Sequence, residues 1–128
     1  MANDNVNIGI VGLGFMAVMH IRACRQVEGA NIAAICNPSG NRLNGDFSDV
    51  FGNLDSGDPV KLDMSQVKAY QSFDELLADD SIDVIDICAP TRTHVELTKA
   101  ALAAGKHVLC EKPLARTLDD AREIADAA

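Results

Sequence analysis

Seven residues near the amino end, Val11-Gly12-Leu13-Gly14-Phe15-Met16-Ala17, have the types and spacing to hold an anion. They follow the apolar run Ile8-Gly9-Ile10-Val11 and lead into a stretch with helical periodicity. Glycine at 12 lets a strand turn sharply. Glycine at 14 removes the side chain that would block a pyrophosphate, and the small Ala17 lets helix and strand pack closely. Gly12, Leu13, Gly14, Phe15 and Met16 would thus form a dinucleotide cradle, with phosphate oxygens over free backbone N–H groups at the positive end of a helix. Ordinary strand-to-helix turns also use glycine, so the context has to come from the rest of the chain.

A second group follows the apolar run Ile32-Ala33-Ala34-Ile35-Cys36. In a dinucleotide fold the residue ending this strand faces the adenosine ribose, where an acidic side chain accepts from both hydroxyls and repels a 2′-phosphate. Here it is Asn37, neutral and able to donate, with Ser39, Asn41 and Arg42 within reach. This predicts a pocket for NADP or NAD, with NADP preferred.

These residues need elements to position them. The apolar runs at Asn7 to Val11, Ile32 to Cys36, Val67 to Tyr70, Val84 to Cys88 and His107 to Cys110 read as strands covered on both faces or lying at an edge. A helix from about Phe15 to Val27 would bury Met16, Met19, Ala23 and Val27. Ser72-Phe73-Asp74-Glu75 and Thr93-His94-Val95-Glu96 have the capping-box form, and Thr117-Leu118-Asp119-Asp120 opens a final helix. The segment from 43 to 66 is rich in turn residues, including Asp55-Ser56-Gly57-Asp58-Pro59, with a short helix expected from Asp46 to Phe51; it would cover the adenosine end of the cofactor. Alternation throughout implies an α/β doubly wound parallel sheet, a Rossmann arrangement of about five strands in the order 3-2-1-4-5. Ligands bind such sheets at the carboxyl ends of the strands, and the loops Ala89 to His94 and Glu111 to Pro113 open there.

Asp86 is the one charged residue in its strand and needs a hydrogen-bonding partner or a raised pKa, neither of which the residues identify. His20 reads as an ordinary packed or surface side chain. Cys24, Cys36, Cys88 and Cys110 are scattered in apolar contexts without metal-site spacing and read as reduced, buried thiols.

With 128 residues, 48% hydrophobic and 23% charged, the chain can bury a core as one domain. A net charge of -8 and few aromatics argue against a nucleic-acid partner. No apolar run reaches the roughly 20 residues that span a bilayer, and Met1 to Asn5 lack the form of a signal peptide, so the expected location is the cytoplasm.

The sequence resembles the N-terminal domain of the Gfo/Idh/MocA oxidoreductases. The resemblance is carried by Gly12 to Ala17, by Asp83-Val84-Ile85-Asp86-Ile87-Cys88-Ala89-Pro90-Thr91 with His94, and by Gly105-Lys106-His107-Val108-Leu109-Cys110-Glu111-Lys112-Pro113. It implies an NAD(P)-dependent enzyme acting on sugars, cyclitols or related polyols. Glu111 would bond the nicotinamide ribose, Lys112 would orient or polarise the reacting oxygen as the catalytic residue, and Ala89, Pro90, Thr91 and His94 would line the nicotinamide end. Thr91 stands where many relatives have Asn, and Asn37 where many have Asp. The family adds a second domain that contributes to the active site, so residues 1 to 128 are expected to be the cofactor domain alone, inactive without it, with an unprotected edge strand from His107 to Cys110 prone to self-pairing. A catalytically silent nucleotide-binding regulatory module is the alternative. A methyltransferase would leave Glu111-Lys112-Pro113 without a role.

Overall fold

The apolar runs become the strands β1 (Val6–Val11), β2 (Ala30–Cys36), β3 (Lys68–Tyr70), β4 (Val84–Ile87) and β5 (His107–Cys110). They form one parallel sheet in the order β3-β2-β1-β4-β5, the expected doubly wound arrangement. The structure, a computed structural model, describes residues 4–50 and 58–128. Helices α1 (Phe15–Cys24), α2 (Phe73–Leu77), α3 (His94–Ala103) and α4 (Leu118–Ala127) connect and flank the strands. Among the described residues no helix is long and apolar enough to cross a membrane.

Side chains alternate across the sheet and build a core on each face. Ile10 and Ile35 join Leu13, Ala17, Val18 and Ile21 on the α1 side, while Val11, Ala34, Cys36, Ile85 and Ile87 join Leu76 and Ala101 on the α2 and α3 side. Asp86 pairs in register with Ile10 and therefore points to the α1 side. Among the described strands β5 is an edge, and Leu109 on it is 54% exposed.

Three local expectations are corrected. Helix α1 ends at Cys24 and buries Ala17, Val18 and Ile21, whereas Ala23 is exposed and Val27 lies beyond the helix at 57% exposure. The glycine turn sets this rotation: it lays the small Ala17 on the sheet and moves Met16 and Met19 to the flanks. No helix forms over residues 46–50. Asp46 instead makes an antiparallel bridge to Lys61, and Phe47 and Val60 enter the α1-side core, because burying an aromatic ring outweighs a single turn of helix. Phe51, the end of that expected helix, and Asp55 to Gly57 lie outside the described residues. Thr93 does not cap α3, since its Oγ1 donates to Pro90 O at 2.6 Å and closes a 3-10 turn over Thr91–Thr93. Ser72 and Thr117 do cap, accepting from the backbone N–H groups of Glu75 and Asp120.

Gly12 fixes the meeting of β1 with the loop after β4. Its φ is +85°, and a Cβ there would sit 2.7 Å from the backbone of Ala89. Gly12→Ala should therefore cost about 2 kcal/mol or more, from left-handed strain plus a clash with main chain, read as a lowered urea midpoint.

Candidate functional site

Because every strand is parallel, the ends of β1, β2, β4 and β5 emerge along one edge. The ladder continues into the loops: Gly12 N donates to Cys36 O, Cys88 N to Val11 O and Glu111 N to Ile87 O. The glycine turn, Asn37, Ala89-Pro90-Thr91 and Glu111-Lys112 thus share a rim.

At the turn, Gly14 is the N-cap of α1 with no side-chain cap and no acidic residue in the first turn. A Cβ built on Gly14 meets nothing within 4 Å. The start of α1 thus has no side-chain cap and no side chain standing over Gly14, and the helix dipole there favours an anion.

Beyond β2, Asn37 Nδ2 donates to Asn41 O and Ser39 Oγ accepts from Asn41 N, so both side chains are used within their own turn. Arg42 reaches back to the glycine turn, where its Nη1 donates to Leu13 O at 3.0 Å. The same guanidinium makes a two-pronged pair with Asp49, at 3.0 and 3.1 Å, and hydrogen bonding to Arg42 lowers the Asp49 pKa. Arg42, Asp49, Asn41, Asn44, Asp46 and Ser48 line an open depression of about 460 Å³.

At the other end of the rim, His94 is 1% exposed, its Nε2 2.9 Å from Ala89 O and its Nδ1 2.9 Å from Pro113 O. The ring ties the two loops together rather than presenting a free polar atom. Pro90, Thr91, Arg92, Pro113, Ala115 and Arg116 line a shallow depression of about 700 Å³ between them. Lys112 is exposed, and its backbone N–H donates to Glu111 Oε1 at 3.2 Å.

His20, on α1, spans the gap between β4 and β5. Its Nδ1 is 2.8 Å from Asp86 Oδ2 and its Nε2 2.9 Å from Glu111 Oε2. Burial opposes a charge on this ring, but the two carboxylates outweigh it and raise the pKa. Burial likewise raises the pKa of Asp86, against the pull of His20. Both directions mean that the cluster retains a proton to higher pH than its separate parts would. Cys88 Sγ completes the group, donating to Asp86 Oδ1 at 3.6 Å, and burial pushes its thiol well above the ordinary range. His20, Asp86 and Cys88 lie within 4.8 Å of one another. We read them as a proton-sharing network, since hydrogen bonds account for their closeness and the thiol holds its proton. The other thiols are free and also shifted upward, Cys36 to about 11 by burial.

Sequence reading found the glycine turn and both distal loops but passed over His20 and Asp49. His20 was legible in one respect: an unpartnered strand carboxylate and a lone histidine on the helix laid over that strand are each other's natural partner. Asp49 gave no comparable signal, because its role depends on how an irregular segment folds back.

Comparison with known proteins matches residues 6–128 to the family model GFO_IDH_MocA, described as an oxidoreductase family with an NAD-binding Rossmann fold. An inositol 2-dehydrogenase of Klebsiella pneumoniae is 35% identical over 125 residues, covering 96% of this chain and 33% of that protein. A 1,5-anhydro-D-fructose reductase of Ensifer adhaerens is 51% identical over 61 residues, 48% of this chain and 18% of that protein. An oxidoreductase of Agrobacterium radiobacter, solved in complex with NAD+, L-tartaric acid and magnesium, superposes with a TM-score of 0.76 at 29% identity, over 96% of this chain and 32% of that one. The chain spans about a third of the length of the curated relatives it matches across most of its residues.

The proton held by the cluster gives stability a pH dependence of known sign. A raised histidine pKa stabilises fully below the ordinary value of 6.5, and that contribution is lost as pH rises through the higher folded value; Asp86, also raised, acts in the same direction from lower pH. Urea unfolding at about pH 6 and pH 9 should show a larger decline for the wild type than for His20→Gln. His20→Ala, which leaves Asp86 buried without its partner, should cost on the order of 3 kcal/mol near neutral pH.

Proposed function

The chain belongs to the Gfo/Idh/MocA oxidoreductase family as an NAD-binding Rossmann domain, and we propose that it serves hydride transfer between a nicotinamide cofactor and a sugar, cyclitol or related polyol. The observation that carries this reading is the convergence on one rim of an open, uncapped glycine turn with the Glu111-Lys112 loop, the two joined through His20. The polyol class follows the names of the relatives, an inositol dehydrogenase and an anhydrofructose reductase.

The residues fit the dinucleotide. The space over Gly14, which a side chain would fill, accepts a diphosphate against the first turn of α1. Asn37, Ser39 and Arg42 would meet the adenosine ribose. Glu111 would accept from the nicotinamide ribose hydroxyls while Ala89, Pro90 and Thr91 line that end. His94 contributes by fixing the two loops. When bound, the nicotinamide supplies the hydride acceptor or donor. Lys112 carries an ammonium on the same rim, suited to stabilise negative charge on the substrate oxygen as the carbonyl and alcohol interconvert.

The NADP preference read from Asn37 and Arg42 is tempered by Asp49. A 2′-phosphate at Arg42 would have to share or displace the carboxylate already paired there. We infer that both dinucleotides are accepted, and that Asp49→Asn, by freeing the guanidinium, shifts the ratio of affinities toward NADPH by about tenfold, the scale of one charge-assisted hydrogen bond. Titration with NADH and NADPH at fixed salt measures it; an unchanged ratio removes Arg42 from the pocket.

Two substitutions test the central reading. Gly14→Asp caps α1 with its own carboxylate, so it should hold or raise stability while lowering NADH affinity at least about tenfold, and unchanged affinity would refute the phosphate cradle. In a chain that also carries the family's second domain, Lys112→Ala should leave NADH affinity within about threefold and reduce polyol dehydrogenase turnover by about a hundredfold or more; turnover that survives there would remove Lys112 from the chemistry.

A further inference from the structure

We propose that His20 is a positioning residue for the nicotinamide end of the cofactor: by bridging Asp86 and Glu111 it holds the Glu111 carboxylate on the rim, and it does so only while both of its ring nitrogens carry a proton. This deepens the function proposed above and rests on the assignment of Glu111 to the nicotinamide ribose.

The geometry leads there through a count of protons. Each ring nitrogen of His20 faces a carboxylate oxygen, Asp86 at 2.8 Å and Glu111 at 2.9 Å. Two protons in the cluster satisfy both contacts, one donated to each acid. When one proton leaves, the neutral ring has a single N–H to offer. Asp86, 1% exposed on the interior strand β4, has no water to replace its donor, whereas Glu111, at the mouth of β5, has solvent beside it. The remaining proton therefore stays on Nδ1 toward Asp86. The lone pair of Nε2 then faces the Glu111 carboxylate and repels it, leaving the side chain held only by the 3.2 Å bond from Lys112 N. Deprotonation also makes the cluster more negative, which opposes a dinucleotide diphosphate on the same rim, so both effects weaken binding.

The other groups around the ring do not supply this dependence. From α1 itself comes Cys24 and from the end of β4 Cys88; burial pushes both thiols upward, so they stay neutral where the ring titrates, while Cys110 packs on the α3 side of the sheet, away from the ring. Asp86 and Glu111 are the carboxylates that contact the ring among the described residues.

The experiment measures NADH dissociation constants of this chain from about pH 6 to about pH 9, with His20→Gln, Glu111→Gln and the distant control His107→Gln. Wild type and His107→Gln should bind about tenfold more weakly at the alkaline end, the scale of one charge-assisted hydrogen bond. His20→Gln, which cannot donate to both acids, should bind with the weaker constant at every pH. Coupling is reciprocal, so NADH must move the titration of the His20 ring, followed by NMR in the wild type, upward by about one pH unit. That measurement also decides the matter if His20→Gln does not fold. A flat wild-type profile, a His20→Gln profile with the wild-type slope, or a ring titration unmoved by NADH overturns the proposal. In each of those cases a loss of affinity in Glu111→Gln would leave the ribose assignment standing. NADH affinity undiminished in Glu111→Gln would overturn both.

Discussion

A carboxylate on an interior strand of a parallel sheet must be given donors, and the placing of His20 beside Asp86 is the constraint from which much of the rim follows. The strand alternation that buries Ile85 and Ile87 on one face turns Asp86 to the other, under α1. The helix must then be long enough, and rotated correctly, to bring His20 over β4. The glycine turn sets both the start and the rotation of that helix, so the residues suited to a diphosphate also dock the histidine. The second ring nitrogen reaches Glu111 across the gap to β5, and one side chain joins the glycine-turn helix to the ends of both strands.

The adenosine end is organised by a different economy. Arg42 is shared between the carbonyl of Leu13 and the carboxylate of Asp49, so the irregular segment after β2 is attached to the glycine turn by charge as well as by packing. Phe47 and Val60 sink into the core, while Arg22 of α1 and Arg25 at its C-cap donate to the carbonyls of Asp58 and Lys61. The described parts of this segment are thus anchored along α1, beside the turn that would hold phosphate. A preference between dinucleotides here would be set by competition for one guanidinium rather than by a single residue at the end of β2.

The strand order and the positions of the loops were legible because buried parallel strands leave continuous apolar runs, and breaks between such runs are hard to mistake. Ser72 and Thr117 were legible as caps because a hydroxyl at the N-cap needs only its own next turn. Thr93 looked the same and was not, since Pro90 offered its hydroxyl a nearer acceptor. The buried face of α1 was misread because its apolar residues encircle the helix, and only docking on the sheet selects among them. Asp86 announced a need without naming who met it; the answer lay 66 residues away in sequence and 2.8 Å away in space.

The close approach of Gly12 to the main chain of Ala89 limits how this chain can change. A side chain at position 12 would meet backbone atoms, not another side chain that a second substitution could shorten. No compensating replacement elsewhere opens room, so the position is closed to stepwise variation. The positions proposed to meet the adenosine, Asn37 and Arg42 with Asp49, lie outside that constraint, whereas a library that randomises position 12 would spend most of its members on destabilised chains.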